Sequence, residues 1–203
     1  MADVDSPARR QPDPGTGPRT SAARSFRLFL SGLLILGALL LLVFNDRFRS
    51  LEAVVAGPVI HLGLGGEVEV VPRFAAVFFD AHTWRMEGLR ITSDCTAAVV
   101  IAPFLALAGV VISFRRFRIG RVLAGVGFAA AILFLVNQLR LLLIAYATHE
   151  WGLNHGYGWS HLLVGSVVTS AGAVVAVAVF FLLVSRTGAG RRSAHAHGGT
   201  RGE

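Results

Sequence analysis

Lysine is absent from this chain, cysteine occurs once, and charged residues of any kind make up only 15% of its 203 positions. The single cysteine, Cys95, excludes an internal disulfide and a Cys-x-x-Cys redox pair. There is no His-Glu-x-x-His run. His149, His155 and His161 have neither that spacing nor a supporting carboxylate, so no metal and no cofactor is expected. The scarcity of charge, set against 54% hydrophobic residues and a mean hydropathy of +0.62, excludes an ordinary soluble domain. No internal repeat is discernible and only one charge falls well inside an apolar run, which argues against a fragment of a transporter.

What is present is apolar sequence of membrane-spanning length. A hydrocarbon core about 30 Å thick needs roughly 20 apolar residues of helix. Four runs meet this requirement: Phe26 to Phe44, Cys95 to Phe114, Val122 to Ala147, and His161 to Ser185. The first exceeds a secretory-signal core, and Val43-Phe44-Asn45-Asp46 offers no small-residue cleavage site, so it is read as a retained anchor. The expected fold is an α-helical polytopic membrane protein of about four transmembrane helices, with a short, partly β segment at 45–94 between the first and second. The embedded domain at 26–185 is flanked by Arg-rich tails, 1–24 and 186–203, whose Pro, Gly, Ser and His content predicts disorder.

Because lysine is missing, arginine alone reports orientation. Arg9, Arg10, Arg19, Arg24 and Arg27 precede or open the first run; Arg115, Arg116, Arg118 and Arg121 fill the link between the second and third; Arg186, Arg191, Arg192 and Arg201 follow the fourth. Excess Arg in short loops marks the cytoplasmic side, and the three clusters agree on both termini inside. That bias also accounts for the formal net charge of +7 without nucleic acid as a partner; anionic lipid of the bilayer is the expected counter-charge. The cell membrane is the expected location.

The extracytoplasmic side then holds 45–94 and 148–160. Leu51 to Leu64 is apolar but interrupted by Gly57, Pro58 and Gly63, and is expected to be interfacial or re-entrant. Gly65-Gly66 punctuates the chain. Alternation at Glu67-Val68-Glu69-Val70-Val71, and more briefly at Leu89-Arg90-Ile91-Thr92, predicts a small β element leading into Cys95. Trp151, Tyr157 and Trp159 suit a membrane–water interface, as anchors or as substrate contacts.

Three chemically capable side chains share one depth. Cys95 opens the second run, at a helix start whose amides and dipole favour a nucleophilic thiolate; Asp94 opposes that effect unless it serves as the helix cap. His161 opens the fourth run. The third run points outward from Val122, so Arg140 lies about seven residues, or roughly 10 Å, below its outer end. Each residue has an ordinary alternative. A lone cysteine packs as a small hydrophobe, a helix-start histidine is an interfacial side chain, and an arginine near a boundary snorkels. An ionisable residue inside a span nevertheless reads first as functional. Asn137, one turn before Arg140, is placed to orient it or to bond a neighbouring helix.

The order of these motifs, Cys95-Thr96-Ala97, then Asn137-Gln138-Leu139-Arg140, then His161-Leu162-Leu163-Val164-Gly165, resembles the exosortase/archaeosortase family over about 26–185. Ala97 departs from the family pattern, which usually has Gly there. The resemblance implies a membrane-embedded cysteine transpeptidase or protease without cofactor. Its partners would be secreted proteins ending in a recognition motif, a hydrophobic helix and a basic tail. Cys95 would be the nucleophile, His161 the proton shuttle and Arg140 the oxyanion or orienting group, with Asn137 and Thr96 in support. A non-enzymatic polytopic scaffold or assembly subunit is the competing reading. The sorting motif, the acceptor and the oligomeric state are not legible in the residues.

Overall fold

The computed structural model describes residues 18–83, 86–152, 156, 158–160, 163 and 165–185. Expectations for the tails beyond these limits, for Tyr157 and for His161 lie outside the described residues. The described chain is mostly helical, with one small sheet.

Helix α1, Pro18–Val43, is followed after Phe44 by α2, Asn45–Leu64. A three-stranded antiparallel sheet comes next, β1 (Val68–Val71), β2 (Ala76–Phe79) and β3 (Glu87–Arg90) in that spatial order. A 3-10 turn at Pro72–Phe74 joins β1 to β2, and another at Ser93–Cys95 leads to α3, Ala97–Ser113. Helix α4, Ile119–Gly152, and helix α5, Gly165–Ser185, complete the bundle.

Three of these helices, Ala22–Val43, α4 and α5, are long and apolar enough to cross a membrane, which makes the chain a multi-pass membrane protein. The fourth expected span is α3, whose 17 residues fall just short of the usual length. It nevertheless packs among the others, α1 lying against α3, and α4 against both α3 and α5. Small residues set these distances: a Cβ on Gly109 would come within 2.9 Å of the Ser31 carbonyl oxygen. The apolar cluster at this level joins Ile101, Phe104, Ala129, Leu133, Ala176 and Phe180. At the far end Arg27 donates to the carbonyls of Ile112, Phe114 and Phe117, satisfying acceptors that the end of α3 leaves open.

Segment 51–64, expected to be an interfacial or re-entrant piece, is part of the regular helix α2. Pro58 lies on its exposed side and does not end it. The two glycines that looked like interruptions are places of close approach: a Cβ on Gly57 would fall 2.4 Å from Val70, and one on Gly63 would fall 2.5 Å from Leu142. Gly65, in the left-handed region at φ 76°, ends the helix, its N–H reaching the His61 carbonyl. Four charged residues, Asp46, Arg47, Arg49 and Glu52, separate α2 in character from the spans.

The sheet has Val68 opposite Phe79 and Val71 opposite Ala76 in one ladder, and Ala76 opposite Arg90 and Phe79 opposite Glu87 in the other. Strand β1 matches the alternation read at 67–71, while β3 lies two residues earlier than the stretch read at 89–92 and ends at Arg90. β2 does not alternate, since Ala76, Val77 and Phe79 are all buried. The sheet and α2 enclose a second apolar cluster with Leu141, Ile144 and Ala145 of α4, and Cys95 belongs to it. A contact between His149 Nδ1 and Asp80, at 2.9 Å, fastens the end of α4 to the sheet.

Candidate active site at the junction of α2, α3 and α4

Cys95 reaches its position through a short series of local constraints. After β3, the Ile91 N–H bonds the Ala75 carbonyl at 2.8 Å, and the Ile91 side chain is fully buried. The chain then turns, with the Cys95 N–H on the Thr92 carbonyl at 3.1 Å. Thr96 is extended and its hydroxyl accepts from the Ala98 N–H at 3.2 Å, so Thr96 and not Asp94 is the cap of α3. This corrects the placement of Cys95 within the first turn of a long helix. Cys95 precedes the cap, and the Ala97 and Ala98 amides at the helix start bond side-chain oxygens of Glu52 and Thr96.

The Ala97 N–H donates to Glu52 Oε1 at 2.8 Å, and the Asn137 side-chain amide donates to the same oxygen at 2.8 Å. Glu52 is 0% exposed, and its other oxygen, Oε2, has no hydrogen-bond partner among the described residues. Burial pushes the Glu52 carboxyl above its ordinary value. The Thr96, Ala97 and Asn137 donors, and then the Arg49 charge, pull the other way and offset only part of that. A carboxyl group at the start of α3 also complements the helix dipole. Glu52 thus joins α2 to α3 and α4 at the level of the cysteine.

Arg140 stands one turn beyond Asn137 on α4. Its Nη2 donates to the Cys95 sulfur at 3.8 Å, although 45 positions separate the two residues. The guanidinium is buried, and its Nε has no partner among the described residues. It therefore does not snorkel to an interface but is held inside, aimed at sulfur. Gly165, the first residue of α5, makes room for it: a Cβ there would lie 2.7 Å from Nε and 3.0 Å from Nη2. The glycine of the His161-x-x-x-Gly165 motif thereby has a physical reason. A cavity of about 50 Å³ adjoins the guanidinium, lined by Asp94, Thr96, Asn137, Arg140 and Thr169 among others. It has room for a small polar group such as a peptide carbonyl. Cys95 is not in its wall; Arg140 both lines the cavity and contacts the thiol.

Of the residues singled out from sequence, Cys95, Thr96, Asn137 and Arg140 therefore meet in one place, while His161 lies outside the described residues. Asn137 bonds a neighbouring helix through Glu52. Glu52 itself was missed, although it is the one acid in the apolar stretch Leu51 to Leu64, and the argument that singled out Arg140 applies equally to it.

No curated protein and no solved structure matches the chain. The family model for the transmembrane exosortases does match, over residues 47–183. That stretch holds every element from α2 to the last turns of α5, with both the buried Glu52 and the Cys95–Arg140 contact inside it. The chain belongs to the transmembrane exosortase family.

Proposed function

We propose that the protein is a membrane cysteine transpeptidase that cleaves a C-terminal sorting signal of secreted proteins and passes them to an acceptor. One observation carries the reading: a buried guanidinium contacts the only thiol of the chain, beside a cavity of carbonyl size. The Cys95 thiolate attacks the carbonyl carbon of the scissile peptide, and the electron pair moves to the carbonyl oxygen. Arg140 has donors left over, Nε among them, to meet that oxyanion, a contribution of about 10²–10³ in rate. Collapse breaks the C–N bond. His161 delivers the proton to the leaving amine, and a thioester remains on Cys95. An amine or other acceptor nucleophile then attacks the thioester and releases the thiolate; water in its place makes the reaction hydrolysis.

Glu52 does not touch the reacting atoms in this scheme. It positions them by fixing the Ala97 amide and Asn137, one turn from Arg140. The site faces the extracytoplasmic side, with both termini cytoplasmic, a reading supported by the arginines at 115–121 at the opposite end of the bundle.

The deciding experiment follows maturation of a secreted protein with a C-terminal motif, helix and basic tail. Cys95→Ser preserves volume and membrane insertion and is expected to abolish processing, because attack requires sulfur. Arg140→Lys is expected to fail nearly as completely, since an ammonium lacks the planar donor fork. Wild-type enzyme trapped with substrate should carry a hydroxylamine-sensitive adduct on Cys95. Processing at the wild-type rate by Cys95→Ser would return the cysteine to a packing role and the protein to a scaffold. Orientation is tested separately in a Cys95→Ala background: a cysteine at Thr83 should react with an impermeant thiol reagent in intact cells, and one at Ser113 should not.

A further inference from the structure

A second concave site lies on the same end of the bundle and plays no part in the scheme above. Its volume is about 330 Å³, and its walls are Asp46, Arg47, Arg49 and Ser50 from the start of α2, Arg73, Phe74 and Ala75 from the turn between β1 and β2, and Arg90 from the end of β3. Three separate elements thus direct four arginines at one hollow. The only acid in the wall, Asp46, is paired with Arg49. Four positive groups against one negative leave three charges uncompensated, and Arg47, Arg73 and Arg90 form no ion pair among the described residues. Clustering like charges in a concavity is unfavourable unless an anion occupies it.

The walls are built rather than incidental. The Ser50 hydroxyl donates to the Pro72 carbonyl at 2.7 Å, fastening α2 to the turn that carries Arg73 and Phe74. Arg49 reaches the Ile91 carbonyl at 3.4 Å, linking α2 to the strand end that carries Arg90, and its Nε is buried without a partner among the described residues. Position identifies the kind of anion. The site begins just after the apolar, span-length stretch of α1 ends at Val43, and one aromatic ring stands in its wall, Phe74 at 61% exposed. Basic groups beside an exposed aromatic ring at the end of a span suit a ligand with a charged head and an apolar body. Arginine in particular grips phosphate oxygens at two points.

We infer that this hollow binds the phosphate of an anionic phospholipid headgroup, with Arg47, Arg73 and Arg90 as its ligands and Phe74 against the glycerol. The inference does not depend on the transpeptidase chemistry. A lipid bound here bridges α2, the β1–β2 turn and β3, the three elements that lead to Glu52 and Cys95.

The test uses full-length protein in neutral detergent, with lipid adducts counted by native mass spectrometry during titration with phosphatidylglycerol, phosphatidylcholine or inorganic phosphate. Phosphatidylglycerol is expected to bind in preference to phosphatidylcholine. Arg73→Gln and Arg90→Gln, both at exposed positions, should each weaken it about tenfold, the loss expected for one charge-assisted contact. Circular dichroism confirms that each variant is folded. Arg116→Gln, in the basic turn at the other end of the bundle, should leave that affinity unchanged. Equal loss in Arg116→Gln would show that surface charge in general attracts the lipid, and would overturn the assignment. So would unchanged affinity in both Arg73→Gln and Arg90→Gln. Complete displacement of the lipid by millimolar inorganic phosphate would make the hollow a free-phosphate site and overturn the lipid reading.

Discussion

The two ends of this bundle solve the packing problem by different means. Where α1, α3, α4 and α5 lie together, cohesion comes from apolar side chains and close approaches such as Gly109 against α1. Where α2, the start of α3 and the middle of α4 meet, a fully buried carboxylate, an asparagine and a buried arginine are held by directional hydrogen bonds. The first arrangement tolerates rearrangement, because dispersion contacts can be remade with any neighbour of suitable size. The second does not, because the Ala97 amide and the Asn137 side chain share one particular acceptor, Glu52 Oε1. The end that carries Cys95 and Arg140 is therefore the geometrically stricter one.

The contrast is sharpest at Glu52. Removing the carboxylate in Glu52→Ala leaves the Ala97 amide and Asn137 without an acceptor, and should lower stability in detergent by roughly 3 kcal/mol. The measurement is the thermal unfolding midpoint with a far-ultraviolet probe. At the apolar end, Gly109→Val forces α1 and α3 apart and should cost about 2 kcal/mol. If Gly109→Val proved more damaging than Glu52→Ala, the polar end would not be the stricter one.

Next in size is Gly165→Ala. The added methyl displaces the Arg140 guanidinium without disturbing the apolar clusters. It should reduce kcat/KM for the sorting substrate about tenfold, equivalent to about 1.4 kcal/mol, while leaving the unfolding midpoint nearly unmoved. An equal fall in stability would mean that Gly165 serves the fold and not the site.

The smallest effect concerns pH. The folded Glu52 carboxyl lies above its ordinary value of 4.5, so the native state holds its proton more tightly than the unfolded chain does. Its contribution is full below 4.5 and is lost as pH rises through the raised native value. Wild-type stability should therefore gain as pH falls through that interval. Glu52→Gln, which keeps an oxygen for both donors, should remove the gain at a cost of about 1 kcal/mol or less at neutral pH. An identical pH profile in Glu52→Gln would assign the dependence to another group.

The same division governs what was legible in the residues. The spans could be read because lipid demands uninterrupted apolar sequence, and only α3, at 17 residues, stops short of the expected length. Cys95, Thr96, Asn137 and Arg140 could be placed at one level because helix rise converts position into depth. β1 and β3 alternate, since one face of each is wet. β2 is buried on both faces and reads as a plain apolar run, so it went unrecognised. Segment 51–64 was set aside as a fifth span and read as interfacial or re-entrant because it is short and interrupted by Gly57, Pro58 and Gly63. The close approaches to Val70 and Leu142 that require those glycines are long-range contacts with no local signature. Glu52 was lost with that segment, and with it the reason why Asn137 stands one turn before Arg140.

The polar fastenings at the two ends of α3 have a consequence for the lipid around it. Glu52 holds the amide at one terminus and Arg27 the carbonyls at the other, so α3 cannot slide along the bundle. Its 17 residues rise only about 26 Å, less than the roughly 30 Å of an average hydrocarbon core. A helix that is both short and anchored makes the surrounding acyl chains yield, and the leaflets draw together beside it. The boundary between oil and water is thereby drawn toward the end of α3 where Cys95 sits, while the thiol keeps its apolar setting.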